Sequence, residues 1–537
     1  METTSLARGT KRRYSGEQAI SRPFSATNDA SNDNAHNSNA GDPEILGEGS
    51  RTRPPCVRRA LLCGGEGSTA APKPKLAEHD QTTQGRKPEG RGEEYFRHLY
   101  STEPDFAHLG LKYPEFRAVL EDGAHLDFRN PAAVVQLTKT LLKEHFGLQV
   151  NLPPDRLCPP VPNRHNYLLW LKDLLDSSSP SYLEQYEPGR EVTGLDIGTG
   201  ASLIYPLLGC AQRPKWHFVA TDIDEESLAS ARANARANHL ESRVRIMGRL
   251  ASDPLIPVSD AGMGAIDFVM VNPPFYTSDA ELLELAAQKS QPPHTACAGA
   301  PVEMVCEGGE VGFVGRMIDE SLVLRDKVQW YTAMLGKQSS LEVLINTLKK
   351  HKINNFAVTT FIQGTKTRRW ALGWSFLTRR PSLGASRGCS SLVTNKMLPP
   401  ITAVSIYGPP PTEEAIQSIK EALCDTVGSL DLRSWVWDEQ RLRGVGFANG
   451  NVWSRAYRRK RTGGNEKSTQ NEAAATPVDL AGCAFGFSLS IQPDESAESS
   501  SNPKVILRWL QGDDASLFES FAGVVRRCLR KDAVLPG

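Results

Sequence analysis

The chain reads as an α/β protein, an open sheet flanked by helices, followed by a smaller α+β unit. Three observations predict this. Short apolar runs end at Ile197, Thr221 and Val271 in a glycine turn, an acidic pair and an Asn-Pro-Pro segment, and a helix-like stretch, Leu203-Ile204-Tyr205, follows the first. Composition shifts near residues 91, 381 and 401 divide the chain.

Residues 1–91 are rich in Gly, Pro, Ser, Asn and charge, with too little apolar surface to offset chain entropy, and are expected to be a disordered arm. Residues 92–380 carry most of the apolar periodicity and five of the nine tryptophans, enough for one large domain. Residues 381–400 read as a linker. From 401 to 537 the order is a strand at Ile401 to Tyr407, a helix carried by Ile416, Ile419 and Leu423, and short strands near Trp435, Val445 and Val452. Strands at Ala484 to Ile491 and Val505 to Leu510 and a terminal helix through Phe518, Phe521, Val524 and Cys528 complete an accessory α+β domain. The inserts Thr462 to Pro477 and Pro493 to Pro503 read as mobile loops.

Lys plus Arg and Asp plus Glu are both 62. A uniformly basic nucleic-acid coat is thereby excluded; a local basic groove is not. No run of 18 apolar residues exists and the N-terminus lacks a secretory pattern, so an intracellular chain without a membrane span is expected. Ten cysteines are scattered from Cys56 to Cys528 with no Cys-x-x-Cys pair, which argues against a disulfide framework or a structural metal.

The first strand, Thr193 to Ile197, runs into Gly198-Thr199-Gly200-Ala201-Ser202. Glycine allows a tight turn and close ligand approach, and a following helix offers free N–H groups. The second strand ends in Asp222-Ile223-Asp224, where a carboxylate can accept from ribose hydroxyls. Leu203 stands where a dinucleotide fingerprint would want a third glycine, so NAD is disfavoured. The third strand, Ile266 to Val271, enters Asn272-Pro273-Pro274-Phe275-Tyr276. An exocyclic amine is a poor nucleophile because its lone pair is delocalised into the ring. The Asn272 side-chain carbonyl and the Pro273 backbone carbonyl supply two acceptors for its N–H protons, Pro274 stiffens the turn, and Phe275 and Tyr276 can stack on a flipped base.

These motifs resemble class I methyltransferases that use S-adenosyl-L-methionine. Further segments narrow the resemblance: Pro104-Asp105-Phe106-Ala107 with Lys112-Tyr113-Pro114, Asp196 to Pro206, Glu307-Gly308-Gly309-Glu310, Trp330-Tyr331 with Met334-Leu335-Gly336-Lys337, and Arg369 to Trp374. Over about residues 104 to 377 the chain is similar to the U6 small nuclear RNA adenine N6-methyltransferase family. The resemblance implies a Rossmann-like core with an N-terminal helical, RNA-binding module, and N6-methylation of one adenine in structured RNA. U6 small nuclear RNA is the first candidate substrate and messenger RNA hairpins are further ones.

By the same resemblance Arg164, Gly198, Ser202, Asp222 and Asn272 contact the cofactor, and Asn272, Pro273, Pro274 and Phe275 form the catalytic loop. No metal is required. A contact on the loop after the fourth strand, within Arg249 to Pro257, stays unassigned. Lys366, Arg368 and Arg369 beside Trp370 are the best basic candidates for RNA backbone, with Tyr276 a further RNA contact. Two features depart from the family: the loop after Tyr276 reads Gln288 to His294 where paired arginines are usual, and Glu93, Glu94 and Glu103 precede or flank Pro104. The run Arg455 to Arg461, at the end of a strand candidate, is an RNA backbone contact, a nuclear-import signal or an ordinary solvated face, and Lys11-Arg12-Arg13 is a second import candidate. The nucleus is the expected location, with the cytoplasm a second compartment. Two other functions stay open: methylation of another planar nitrogen, such as a protein glutamine amide, and a non-catalytic RNA-binding regulator.

Overall fold

Among the described residues the first four helices are α1 (Glu93–His98), α2 (Phe106–Lys112), α3 (Pro114–Arg117) and α4 (Pro131–Phe146). The last is bounded by its sequence, with the Asn130 side chain accepting from the Ala132 N–H, Pro131 in the first turn, and Gly147 left-handed at its end. This is a computed structural model, and it describes residues 91–278, 281, 299–363, 367–390, 397–407, 413–463, 480–492 and 504–531. These lie in one compact unit, 83–537. The expected arm, save Arg91, lies outside the described residues, as do most of the two expected mobile loops.

The central sheet has eight strands: β1 (Val192–Ile197), β2 (Trp216–Asp222), β3 (Val244–Gly248), β4 (Ile266–Val271), β5 (Val328–Leu335), β6 (Phe356–Gln363), β7 (Thr367–Trp374) and β8 (Arg387–Gly388). Their spatial order is β3-β2-β1-β4-β5-β7-β6-β8. β7 is antiparallel to both neighbours and the other pairings are parallel. Strands β1, β4 and β5 are buried along almost their whole length because both faces of the sheet are covered. Helices α4, α5 (Val161–Ser177), α6 (Ile204–Gln212) and α7 (Glu225–Ala237) bury one face. After a short helix, α8 (Pro301–Met304), the helices α9 (Gly309–Leu324) and α10 (Gln338–Lys350) bury the other. Strand order reverses between β1 and β4, which opens a crevice at their carboxyl ends.

The acidic departure at Glu93 has an internal role. Its carboxylate pairs with the buried Lys172 at 2.8 Å and with Arg213 at 3.0 Å, and Arg213 also reaches Asp176 at 2.6 Å. The buried His165 sits 2.7 Å from the Phe96 carbonyl. Both contacts tie α1 to α5.

The segment expected to be a linker is partly structured. Residues Leu383–Ser386 form α11, and β8 then adds parallel to β6 as the sheet's edge, so the core extends beyond residue 380. The rule that Gly, Ser and Pro mark linkers fails here because a two-residue strand needs only backbone hydrogen bonds.

The accessory domain is an antiparallel sheet of β9 (Ala403–Tyr407), β10 (Ser434–Asp438), β11 (Arg443–Ala448), β12 (Phe485–Gln492) and β13 (Lys504–Gln511), ordered β9-β13-β12-β11-β10. Helices α12 (Glu413–Gly428) and α14 (Ala515–Lys531) share its hydrophobic core. Two expectations are corrected. Val452 forms no strand; it and Trp453 are buried in that core from a turn. The basic run Arg455 to Arg461 lies in a helix, α13 (Arg455–Gly463), and not at a strand end. Glu184, on the loop before β1, accepts from Arg443, Arg508 and Ser488 of this domain, and the Tyr182 hydroxyl donates to Gln511. The buried Arg380 lies 4.3 Å from the Trp509 ring centroid. Among the described residues no helix is long and apolar enough to cross a membrane.

Candidate active site

The crevice at the switch point is built first from the turn after β1. Gly198 adopts φ +67°, and a Cβ there would meet no protein atom within 4 Å, so the backbone is open to a ligand. The helix expected at Leu203 starts one residue later, because Leu203 itself is left-handed at φ +56°. Asp196 lies wholly buried beneath the turn, with one oxygen accepting from the Thr199 hydroxyl at 2.7 Å and the other without a partner among the described residues. Burial pushes its carboxyl up to about 7, with the Thr199 bond opposing. Ser202 is buried at the base of the turn.

At the end of β2, Asp222 accepts from the N–H groups of Gly200 at 2.8 Å, Ile223 at 2.8 Å and Asp224 at 3.0 Å. Burial raises its carboxyl above the usual range, and these N–H bonds oppose the shift. Asp224 caps α7 by accepting from the Ser227 N–H at 2.9 Å. An open glycine backbone, a carboxylate at the next strand end and an unpartnered buried acceptor below fit an adenosine cofactor carrying an ammonium group.

A strap of residues 147–160 closes the crevice. Asn234 on α7 and Asn238 at the helix's C-cap, one turn apart, hold it: Asn234 exchanges bonds with the Asn151 backbone at 2.8 and 3.0 Å and also donates to the Ala201 carbonyl, while Asn238 exchanges bonds with the Gln149 backbone. Arg156 reaches Asp224 and Glu226. Glu303, on α8, accepts from the Leu157 N–H at 2.9 Å. The sequence reading missed these four side chains, Asn234, Asn238, Arg156 and Glu303, since each works through partners distant in sequence.

Beyond β4, the buried Arg164 donates to the Asn272 side-chain carbonyl at 3.2 Å and approaches the Met334 sulfur at 3.4 Å. Arginine only donates, so the amide oxygen must face it. The Tyr167 hydroxyl lies 2.8 Å from that of Thr332, which donates to the Val269 carbonyl, so the strand leading to Asn272 is held from both sides. Pro273 is buried, and Pro274 and Phe275 are half-buried. The Phe275 ring is packed against Gly336, where a Cβ would fall 2.8 Å from Cδ1, and the Arg369 guanidinium lies 5.5 Å from the ring centroid. Gly336 and Lys337 donate N–H bonds to the buried Glu310, which gives the Glu-Gly-Gly-Glu and Leu-Gly-Lys segments one shared purpose: they build the floor under Phe275. Tyr276 is tied through its backbone to Met304 and Cys306.

The structure divides the expected basic cluster. Arg368 and Arg369 are consecutive on β7, so their side chains point to opposite faces, and Arg369 alone of the two lies against Phe275. Lys366 and residues 288–294 lie outside the described residues. Lys112 is engaged by Glu144 at 2.7 Å. In the unassigned loop, Leu255 and Ile256 donate N–H bonds to Glu320 and Arg249 pairs with Asp260.

A sheet with this strand order, a nucleoside cradle at its switch point and two amine acceptors one strand away defines a class I methyltransferase acting on a planar nitrogen. The family model described as RNA methyltransferase matches residues 94–378, more than half the chain, and the chain belongs to that family. It is 32% identical over 416 residues to the U6 small nuclear RNA (adenine-(43)-N(6))-methyltransferase of Schizosaccharomyces pombe, covering 75% of this chain and 95% of that one. To RNA N(6)-adenosine-methyltransferase METTL16 of Homo sapiens it is 39% identical over 285 residues, covering 51% of this chain and 48% of the relative, so it spans about half of that protein. Among solved structures, the hMettl16 catalytic domain in complex with a MAT2A 3′UTR hairpin aligns with a TM-score of 0.45 and 38% identity, covering 51% of this chain and 92% of that one. The N-terminal domain of human METTL16 in complex with SAH aligns with a TM-score of 0.43 and 35% identity, covering 53% and 98%.

Proposed function

We propose that this chain methylates N6 of one adenine in a structured RNA, with U6 small nuclear RNA the first candidate. The observation that carries the proposal is the Asn272 side-chain carbonyl, oriented by Arg164 on the loop that leaves β4 next to the nucleoside cradle. Arg164, Gly198, Ser202 and Asp222 would hold S-adenosyl-L-methionine, which supplies an electrophilic methyl group. One arm of the Arg164 guanidinium is engaged on Asn272, and the rest of its fork can meet the cofactor carboxylate.

The chain's own groups then act on the base. Asn272 Oδ1 and the Pro273 carbonyl accept the two N–H bonds of the amine, which keeps electron density on nitrogen as it turns tetrahedral. Phe275, fixed between Gly336 and Arg369, stacks on the flipped ring and sets the line of attack. After transfer the nitrogen carries both protons and the positive charge, still hydrogen-bonded to the same two acceptors, until one proton leaves to solvent.

RNA backbone is assigned to Arg368 and Arg369, with Tyr276 and Lys366 as further contacts. In the accessory domain α13 joins them: beside it is a cavity of about 550 Å³ lined by Arg455, Arg458, Arg461 and Arg527. The basic runs at Lys11 and Arg455 support a nuclear location. The test uses the full chain with labelled S-adenosylmethionine and either a U6-like hairpin or total protein. Label on the hairpin, lost in Asn272→Ala, is expected. Label on protein alone overturns the RNA reading, and hairpin binding with no label anywhere overturns the enzyme.

A further inference from the structure

Ribose carries two adjacent hydroxyls, and the carboxylate at the end of β2 is short of acceptor positions for both. A carboxylate offers about four lone-pair positions. On Asp222, Oδ1 already accepts from Ile223 and Asp224, and Oδ2 from Gly200. One position is left. Removing the Gly200 bond to free another would open the turn that shapes the cradle.

Glu303 stands on the other side of the same glycine. Its Oε2 is fully used, accepting from the Leu157 and Ala300 N–H groups, each at 2.9 Å. These bonds fix the side chain. Its Oε1 has no donor among the described residues and lies 3.6 Å from where a Cβ on Gly200 would be. The two carboxylates thus flank Gly200, and the charge of Asp222 acts on Glu303.

We propose that Glu303 is a second ribose-binding residue, its Oε1 accepting the hydroxyl that Asp222 cannot. This rests on the cofactor reading above and extends it from β2 to α8. A second consequence follows from the backbone, where Tyr276 donates to Met304 and accepts from Cys306, on either side of Val305. The residue that would touch ribose is therefore on the segment bonded directly to the catalytic loop, and ribose contact is joined to the base side of the crevice.

Calorimetric titration of the full chain tests this, using S-adenosylhomocysteine and its 2′-deoxy and 3′-deoxy analogues. Glu303→Gln keeps an oxygen for Leu157 and Ala300 but replaces Oε1 by a donor. In the unaltered protein each deoxy analogue should bind about tenfold more weakly, the size of one charge-assisted bond. Glu303→Gln should bind S-adenosylhomocysteine about tenfold more weakly and should no longer distinguish it from one of the two analogues. Asp222→Asn should lose discrimination of the other. If Glu303→Gln binds like the unaltered protein, or weakens for all three ligands by one common factor, Glu303 only braces the strap and the proposal fails. If the unaltered protein binds no S-adenosylhomocysteine, the cofactor reading fails first.

Discussion

The Arg164 guanidinium donates to the Asn272 side-chain carbonyl across 3.2 Å, and so the residue expected to meet the cofactor also sets the orientation of the catalytic amide. Lysine would keep the charge but not the fork. Arg164→Lys is therefore expected to lower both S-adenosylhomocysteine affinity and single-turnover methyl transfer, each by about tenfold. A loss confined to affinity would separate Arg164 from the amide.

Gly336 has no side chain because Phe275 occupies the space, with its Cδ1 2.8 Å and Cε1 3.0 Å from the missing Cβ. Gly336→Ala should displace the ring by a few tenths of an ångström or more. The expected result is a fall in kcat of about tenfold to a hundredfold, the scale for misplacing a reacting group. Cofactor-analogue binding by calorimetry should be unchanged.

Strand alternation separates two adjacent arginines. Arg369→Ala removes the cation over Phe275 and should reduce kcat and RNA affinity together. Arg368→Ala, on the opposite face, should spare kcat. If Arg368 contacts phosphate, its loss reduces the slope of log affinity against log salt by about one. Hairpin binding at several salt concentrations, alongside turnover, distinguishes the two.

Burial lowers the His165 imidazole to about 4 from its ordinary 6.5, with the Phe96 carbonyl opposing the shift. The ring is neutral, donating from Nε2 to Phe96 and accepting at Nδ1 from Gln212 at 3.4 Å, and a second proton would remove that acceptor. The folded pKa is depressed, so the stabilisation is complete above 6.5 and is lost as pH falls towards 4. The loss is on the order of 3 kcal/mol. Denaturation midpoints at pH 7 and 5 should differ less in His165→Gln than in the unaltered protein, and equal differences would refute the assignment.

Glu184 compensates Arg443 and the buried Arg508 across the junction between the core and the accessory domain. Glu184→Gln removes the carboxylate that Arg443 and Arg508 share, at a cost of about 3 kcal/mol. Calorimetric melting should resolve two transitions in the variant, where the unaltered chain gives one.

The parts of the site legible in the sequence are those whose chemistry is local. A glycine turn, an acidic strand end and Asn-Pro-Pro-Phe each announce themselves within five residues, and the sheet then brings them together. What was not legible depends on distant partners. Glu303 meets Leu157, and Asn234 meets Asn151, only after the strap has folded back over α7. The clustering of Arg368 with Arg369 failed because proximity in sequence is opposition on a strand. The run at Arg455 became a helix because Ser454 and the burial of Trp453 start one, a tertiary effect that no alternating pattern reveals. At residues 383–388 too few side chains are present to show a strand that exists through its backbone alone.

Leu203 combines two demands that glycine could not meet together. Its backbone lies in a region that costs an L-residue about 1 to 2 kcal/mol, yet its side chain is completely buried among Tyr205, Leu207 and their neighbours. A glycine would relax the backbone and empty the core. The bend beneath the cofactor is thus kept in tension from below, as a keel holds a hull, and mutations deep in the packing of α6 should be felt at the cradle's rim without touching it.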